Sequence, residues 1–240
     1  MEILGKPSGI TLRQHTDNVL AEGEYVIHSF PFSFEKYLKI IEKDLAKRLK
    51  GAIKYHDEGK KHTVWQKACQ DDYATFLNWQ KTNNGDYHLF EKLNKNLAGK
   101  NLMNTGVRHE IYSLVMHRNS GFSEPVKVAI AAHHSKLSRK HEHRWTNKRS
   151  GEQGELIWNE LINLNAHFRL GHHSFKEAIL KHYEFAAVRA YLQLADRRAS
   201  ARESKDVPID FHAFTYIFPH QKPRNVQQIA QDFANDDLLL

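Results

Sequence analysis

The chain has 240 residues, 40% hydrophobic and 11% aromatic, with a formal charge of +7 and a pI near 9.3. That is enough apolar material to bury a core, which excludes a disordered chain as the default. One cysteine, Cys69, excludes an internal disulfide framework and favours a cytoplasmic setting; no apolar run nears the roughly 20 residues of a membrane span, and residues 1–11 lack the apolar region of a signal peptide. The basic balance fits either a lysine-rich solvated surface or attraction to a polyanion. The 17 histidines are the outlier of the composition, and they are spread along the chain.

Thr11 is a candidate N-cap for a helix over 12–20, with His15 between Leu12 and Val19 and therefore facing inward. Ser33 reads as the cap of one long helix that starts at Phe34. Leu38, Ile41, Leu45, Leu49 and Ile53 continue its stripe at helical spacing as far as His56-Asp57, where Gly59 fits a C′ stop. Neighbouring residues inside a helix point about 100° apart, so His56 and Asp57 converge on one site more easily at a helix end. Residues 64–79 read as a helix, 82–85 as a turn and 89–102 as a weaker helix.

Arg108-His109-Glu110 opens a helix through Met116, which Ser120-Gly121 breaks. Ser123 with Pro125 then starts a largely apolar helix ending at His133-His134. Residues 135–149 read as a loop carrying Lys136, Arg139, Lys140, Arg144, Lys148 and Arg149 against Glu142, with Trp145 among them. Such a run is a solvated surface, or a hold for a single-stranded backbone. Ser150 with Gln153, and Ser174 with Glu177, are capping-box pairs opening helices to about 168 and over 175–202. Asp196 lies late in the second, where a carboxylate needs a partner: Arg197, Arg198 or a metal. After Pro208, residues Phe211, Ala213, Thr215 and Ile217 alternate like a strand, followed by a short polar helix to Asp237.

His15, His56, Asp57, His109, His133, His134 and Asp196 each lie on or at the end of an expected helix. For a single histidine the competing reading is a core residue bonded to backbone, but the adjacent pair His133-His134 is hard to satisfy that way. Seven such ligands could furnish two metals about 3.5–4 Å apart, bridged by one carboxylate. Two divalent cations offset phosphate charge and acidify water.

The order His … His-Asp … His … His-His … Asp resembles the HD phosphohydrolase superfamily. Four segments are similar to the HD nuclease domain of the CRISPR type I effector nuclease–helicase: His56-Asp57-Glu58-Gly59-Lys60, Arg108-His109-Glu110 with Ser113, Ala132-His133-His134, and Leu194-Ala195-Asp196-Arg197-Arg198-Ala199-Ser200. With His15, these motifs span about residues 12–202. The resemblance implies an all-α fold, an HD-domain helical bundle over 1–205, with a short irregular tail over 206–240. It implies one metal on His15, His56, Asp57 and Asp196, and a second on His109, His133 and His134, with Asp57 bridging. Mn, Fe, Ni or Co suit such ligands, and Mg is a further candidate. The implied catalytic set is His56, Asp57, Lys60 and Asp196, with Lys60 near the scissile phosphate. Ser113 and Ser200 would line the site, and Ser135, Lys136, Arg139, Lys140, Arg144 and Trp145 would complete the nucleic-acid contacts. Ser135 stands where this branch often has glycine.

The implied function is metal-dependent hydrolysis of single-stranded DNA in CRISPR antiviral interference, in the cytoplasm and away from membranes. The implied partners are single-stranded DNA, a helicase domain or subunit, and the crRNA-guided Cascade surveillance complex. Residues 218–228 resemble the lead-in to a helicase core, yet no G-x-x-x-x-G-K-[ST] phosphate loop is present. The expectation is therefore the nuclease piece of a longer nuclease–helicase. The alternatives are an HD phosphohydrolase acting on nucleotides or cyclic nucleotides, and a non-enzymatic helical module whose histidines fill the core or bind a structural metal.

Overall fold

A computed structural model describes residues 2–117, 120–134 and 175–204. Among these residues the fold is all-α; the only β feature is an isolated antiparallel bridge between Leu4 and Thr11. Helix α1 (Leu12–Ser29) starts where Thr11 Oγ1 accepts the Gln14 N–H at 3.1 Å. It runs past the expected end near Leu20, because Val19 and Val26 continue its inner stripe around the buried carboxylate of Glu22.

The single long helix expected from Phe34 to His56 is two helices, α2 (Pro31–Ile41) and α3 (Leu45–Tyr55). Proline at the first turn starts α2, so Ser33 lies inside it and does not cap it. The break is at Glu42, in the left-handed region at φ 58°, and Asp44 caps α3 by accepting the Lys47 N–H at 3.1 Å. The stripe looked continuous because both helices face one core: Tyr37, Leu45, Leu49 and Ile53 pack with Val19, Val126, Ile130, Val188 and Leu192.

Helix α4 (Thr63–Gln80) matches expectation, whereas residues 89–102 divide into α5 (Tyr87–Leu93) and α6 (Lys100–Thr105). The short α6 begins after Gly99 at φ 66°, and Asp72 of α4 accepts the N–H groups of Asn101 and Leu102 at 3.0 Å each. Helices α7 (His109–Met116), α8 (Glu124–Ala131) and α9 (Phe175–Glu203) follow. Helix α9 is the spine, packing on α1, α2, α3 and α8. Two buried carboxylates fasten it. Glu184 meets Arg48 of α3 and accepts Ser123 Oγ, while Glu22 of α1 pairs with Arg198 at 2.7 Å and with Arg202. The expected helix from Ser150, the Ser174 cap, the strand-like 211–217 segment and the 206–240 tail lie outside the described residues. Among the described residues no helix is long and apolar enough to cross a membrane.

Candidate metal centre

Two helices end in the same way at the centre. Helix α3 stops at Tyr55, His56 is its C-cap, and His56 Nδ1 lies 2.7 Å from the Ile53 carbonyl. Helix α8 stops at Ala131, and His133 Nδ1 lies 2.6 Å from the Ile130 carbonyl. The last carbonyls of a helix have no partner within it. Here one at each end takes the Nδ1 proton of a histidine, which leaves the Nε2 lone pair pointing inward.

Those Nε2 atoms converge on Asp57, whose two oxygens face different imidazoles. Asp57 Oδ2 is 3.3 Å from His15 Nε2, 3.5 Å from His56 Nε2 and 2.6 Å from Lys60 Nζ. Asp57 Oδ1 is 3.2 Å from His109 Nε2 and 3.7 Å from His133 Nε2. Asp196, from α9, puts Oδ1 3.3 Å from His15 Nε2. His134 stands at the exposed edge, its ring 4.0 Å from that of His133 and 5.0 Å from that of His109. All seven expected ligands are therefore brought together. They form three overlapping groups with ligand atoms within 4.8 Å: Asp57-His109-His133-His134, His15-His56-Asp57 and His56-His133-Asp196.

These residues fit a metal. Asp57 Oδ1 and the Nε2 atoms of His56, His109 and His133 are buried and make no hydrogen bond. Each such atom costs about 1–3 kcal/mol when it has no partner. Those of Asp57, His109 and His133 fall in one group and that of His56 in the adjoining ones, and imidazole with carboxylate is a donor set that divalent transition metals accept.

Charge in the centre is set by burial and by the neighbouring groups. Burial pushes His56 down to about 4, against the pull of Asp57. Burial opposes the Asp57 charge as well, but His56, Lys60, His109 and His133 outweigh it and hold the carboxyl well below its ordinary range. For His15, burial is overcome by hydrogen bonds to Asp196, Asp57 and Glu203, which lift it to about 10.

The turn that carries Asp57 is clamped from α7. Asp57 leads into a 3₁₀ turn (Glu58–Lys61), and Gly59 lies against the start of α7. A Cβ at Gly59 would sit 1.9 Å from the His109 carbonyl oxygen. Gly59 therefore serves close backbone approach, and the expected C′ stop is corrected: α3 has already ended at Tyr55. Ser113 Oγ accepts the Gly59 N–H at 2.7 Å and lies 2.7 Å from the His56 carbonyl and 2.9 Å from the His109 carbonyl, either of which can take its proton. Ser113 is fully buried, so its expected contact with nucleic acid is corrected to a latch between the His56 and His109 segments.

Lys60 lies in the centre, 7% exposed, with Nζ 5.7 Å above the Trp65 ring. Ser200 sits at the edge, accepting Lys6 Nζ at 2.8 Å with its own hydroxyl 3.5 Å from Asp196 Oδ1. Asp196 does not use Arg198, which pairs with Glu22 and covers the Tyr25 ring at 4.3 Å. The expected contacts Ser135, Lys136, Arg139, Lys140, Arg144 and Trp145 lie outside the described residues.

Three contributors escaped sequence reasoning. Glu203 meets His15, Lys6 meets Glu203, and Gln66 ties the Lys60 carbonyl to Leu4. The i, i+4, i+7 spacing of Asp196, Ser200 and Glu203 on one face of α9 is the signal that could have found the first. No family model, curated protein or solved structure matches this chain.

Proposed function

We propose that this chain is a metal-dependent phosphodiesterase of the HD kind that cleaves single-stranded DNA. The observation that carries the reading is the set of buried, unbonded imidazole nitrogens facing both oxygens of one carboxylate. Divalent cations held there would neutralise phosphate charge and acidify water. Asp57 would serve two subsites, with His15, His56 and Asp196 beside Oδ2 and His109, His133 and His134 beside Oδ1. Lys60, fixed beside Asp57, supplies an ammonium for a phosphate oxygen. Polymeric substrate is favoured by the +7 charge, the basic 135–149 stretch and the sequence motifs that resemble the CRISPR nuclease domain.

The test is nicking of circular single-stranded DNA with Mn, Co, Ni or Mg. Wild type should cleave, and Asp57→Ala should lose cleavage while keeping its helical circular dichroism. Wild-type cleavage by that variant would reject the reading. Turnover of nucleotides with no DNA cleavage would move the assignment to a small-molecule phosphohydrolase.

A further inference from the structure

The outer nitrogens of the buried histidines are satisfied in different ways. His56 and His133 use backbone carbonyls at helix ends, and His109 Nδ1 lies 3.7 Å from Glu110, beyond a hydrogen bond. His15 instead has a carboxylate within reach: both Glu203 oxygens are 3.0 Å from Nδ1. Glu203 is itself held, by Asn18 Nδ2 at 2.8 Å and by Lys6 Nζ at 2.7 Å. Lys6 branches there. It also donates to Ser200 Oγ at 2.8 Å, and Ser200 reaches toward Asp196. One lysine from the N-terminal arm thus steadies the supports of His15 and Asp196, two ligands of the same subsite.

We infer that Glu203 is a positioning residue of the metal centre: it takes the Nδ1 proton of His15 and holds Nε2, the ring's ligand atom, between Asp57 and Asp196. The inference rests on the metal-centre reading and deepens it. A carboxylate on the outer nitrogen fixes the ring and raises its basicity, and removing such a partner costs 10–100-fold in metal affinity. Lys6 sets the carboxylate's orientation, so its loss should act in the same direction and more weakly.

The experiment is a Co(II) titration of the full chain followed by visible absorption, with stoichiometry from calorimetry. Wild type is compared with Glu203→Ala, Glu203→Gln and Lys6→Met. Glu203→Ala should weaken one Co(II) roughly 10–100-fold and alter its absorption band, leaving the other Co(II) unchanged. Glu203→Gln keeps an acceptor for the Nδ1 proton without the charge, so it should recover part of the affinity. Wild-type affinity and spectrum in both Glu203 variants would overturn the inference, as would lowered stability with an unchanged spectrum. If Glu203→Ala fails to fold, Glu203→Gln decides alone, and binding equal to wild type counts against the inference. A wild-type chain that takes up no Co(II) rejects the metal-centre reading beneath it, a distinct outcome.

Discussion

Gly59 shows how much of the centre depends on one missing methyl group. Its backbone lies against the His109 carbonyl, and Ser113 accepts its N–H. Overpacked cores cost about 1–3 kcal/mol and at times more, when neighbours can shift. Here the obstacle is backbone, so Gly59→Ala should cost at least about 3 kcal/mol in urea denaturation and loosen the fit of His109 to Asp57; a loss under about 1 kcal/mol would contradict this packing. The ligands themselves are legible at this scale. His56-Asp57, His133-His134 and Asp196 each interrupt or end an apolar helical stripe, where a polar group needs a reason. Glu203 has no such contrast, because it follows Arg202 at a helix end that reads as solvated surface. Ser113 carries no such contrast either: only distance in space, across 54 residues, shows that it serves the Gly59 backbone.

Elements differ from their sequence reading mostly in their breaks. The α2–α3 junction carries no glycine or proline, and its stripe keeps phase across the gap, so periodicity alone joins the two helices. Glu42 instead bears the turn in a left-handed conformation, which costs an ordinary residue roughly 1–2 kcal/mol. Glu42→Gly should therefore raise stability by about 0.5–1 kcal/mol, seen as a higher urea midpoint with unchanged slope. A lower midpoint would mean that the Glu42 side chain has a role of its own. The 89–102 stretch divides for a different reason: Asp72, about two turns before the end of α4, supplies the cap that lets α6 start afresh. A cap borrowed from another helix leaves no local trace.

Across the whole molecule, the ligands come from five helices or their ends: α1, α3, α7, α8 and α9. A metal that joins them binds the folded chain alone and stabilises it by mass action. With Mn at 100 times its dissociation constant, the gain is about 2.7 kcal/mol, or roughly 5–10 °C in Tm for a chain of this size. Thermal scans with Mn and then with chelator should show that rise and its reversal, while an Asp57→Asn variant should show little of it. Equal shifts in both proteins would place the metal elsewhere.

The His15–Glu203 pair closes across 188 residues. During synthesis at roughly 5–20 residues per second, about 10–40 s separate the emergence of these two partners. Until α9 has been made and has docked, Asp196 and Glu203 are missing and the cluster around His15 is incomplete. The growing chain on the ribosome therefore carries an incomplete His/Asp cluster. Late arrival of one helix delays assembly of the cluster until translation has passed Asp196 and Glu203.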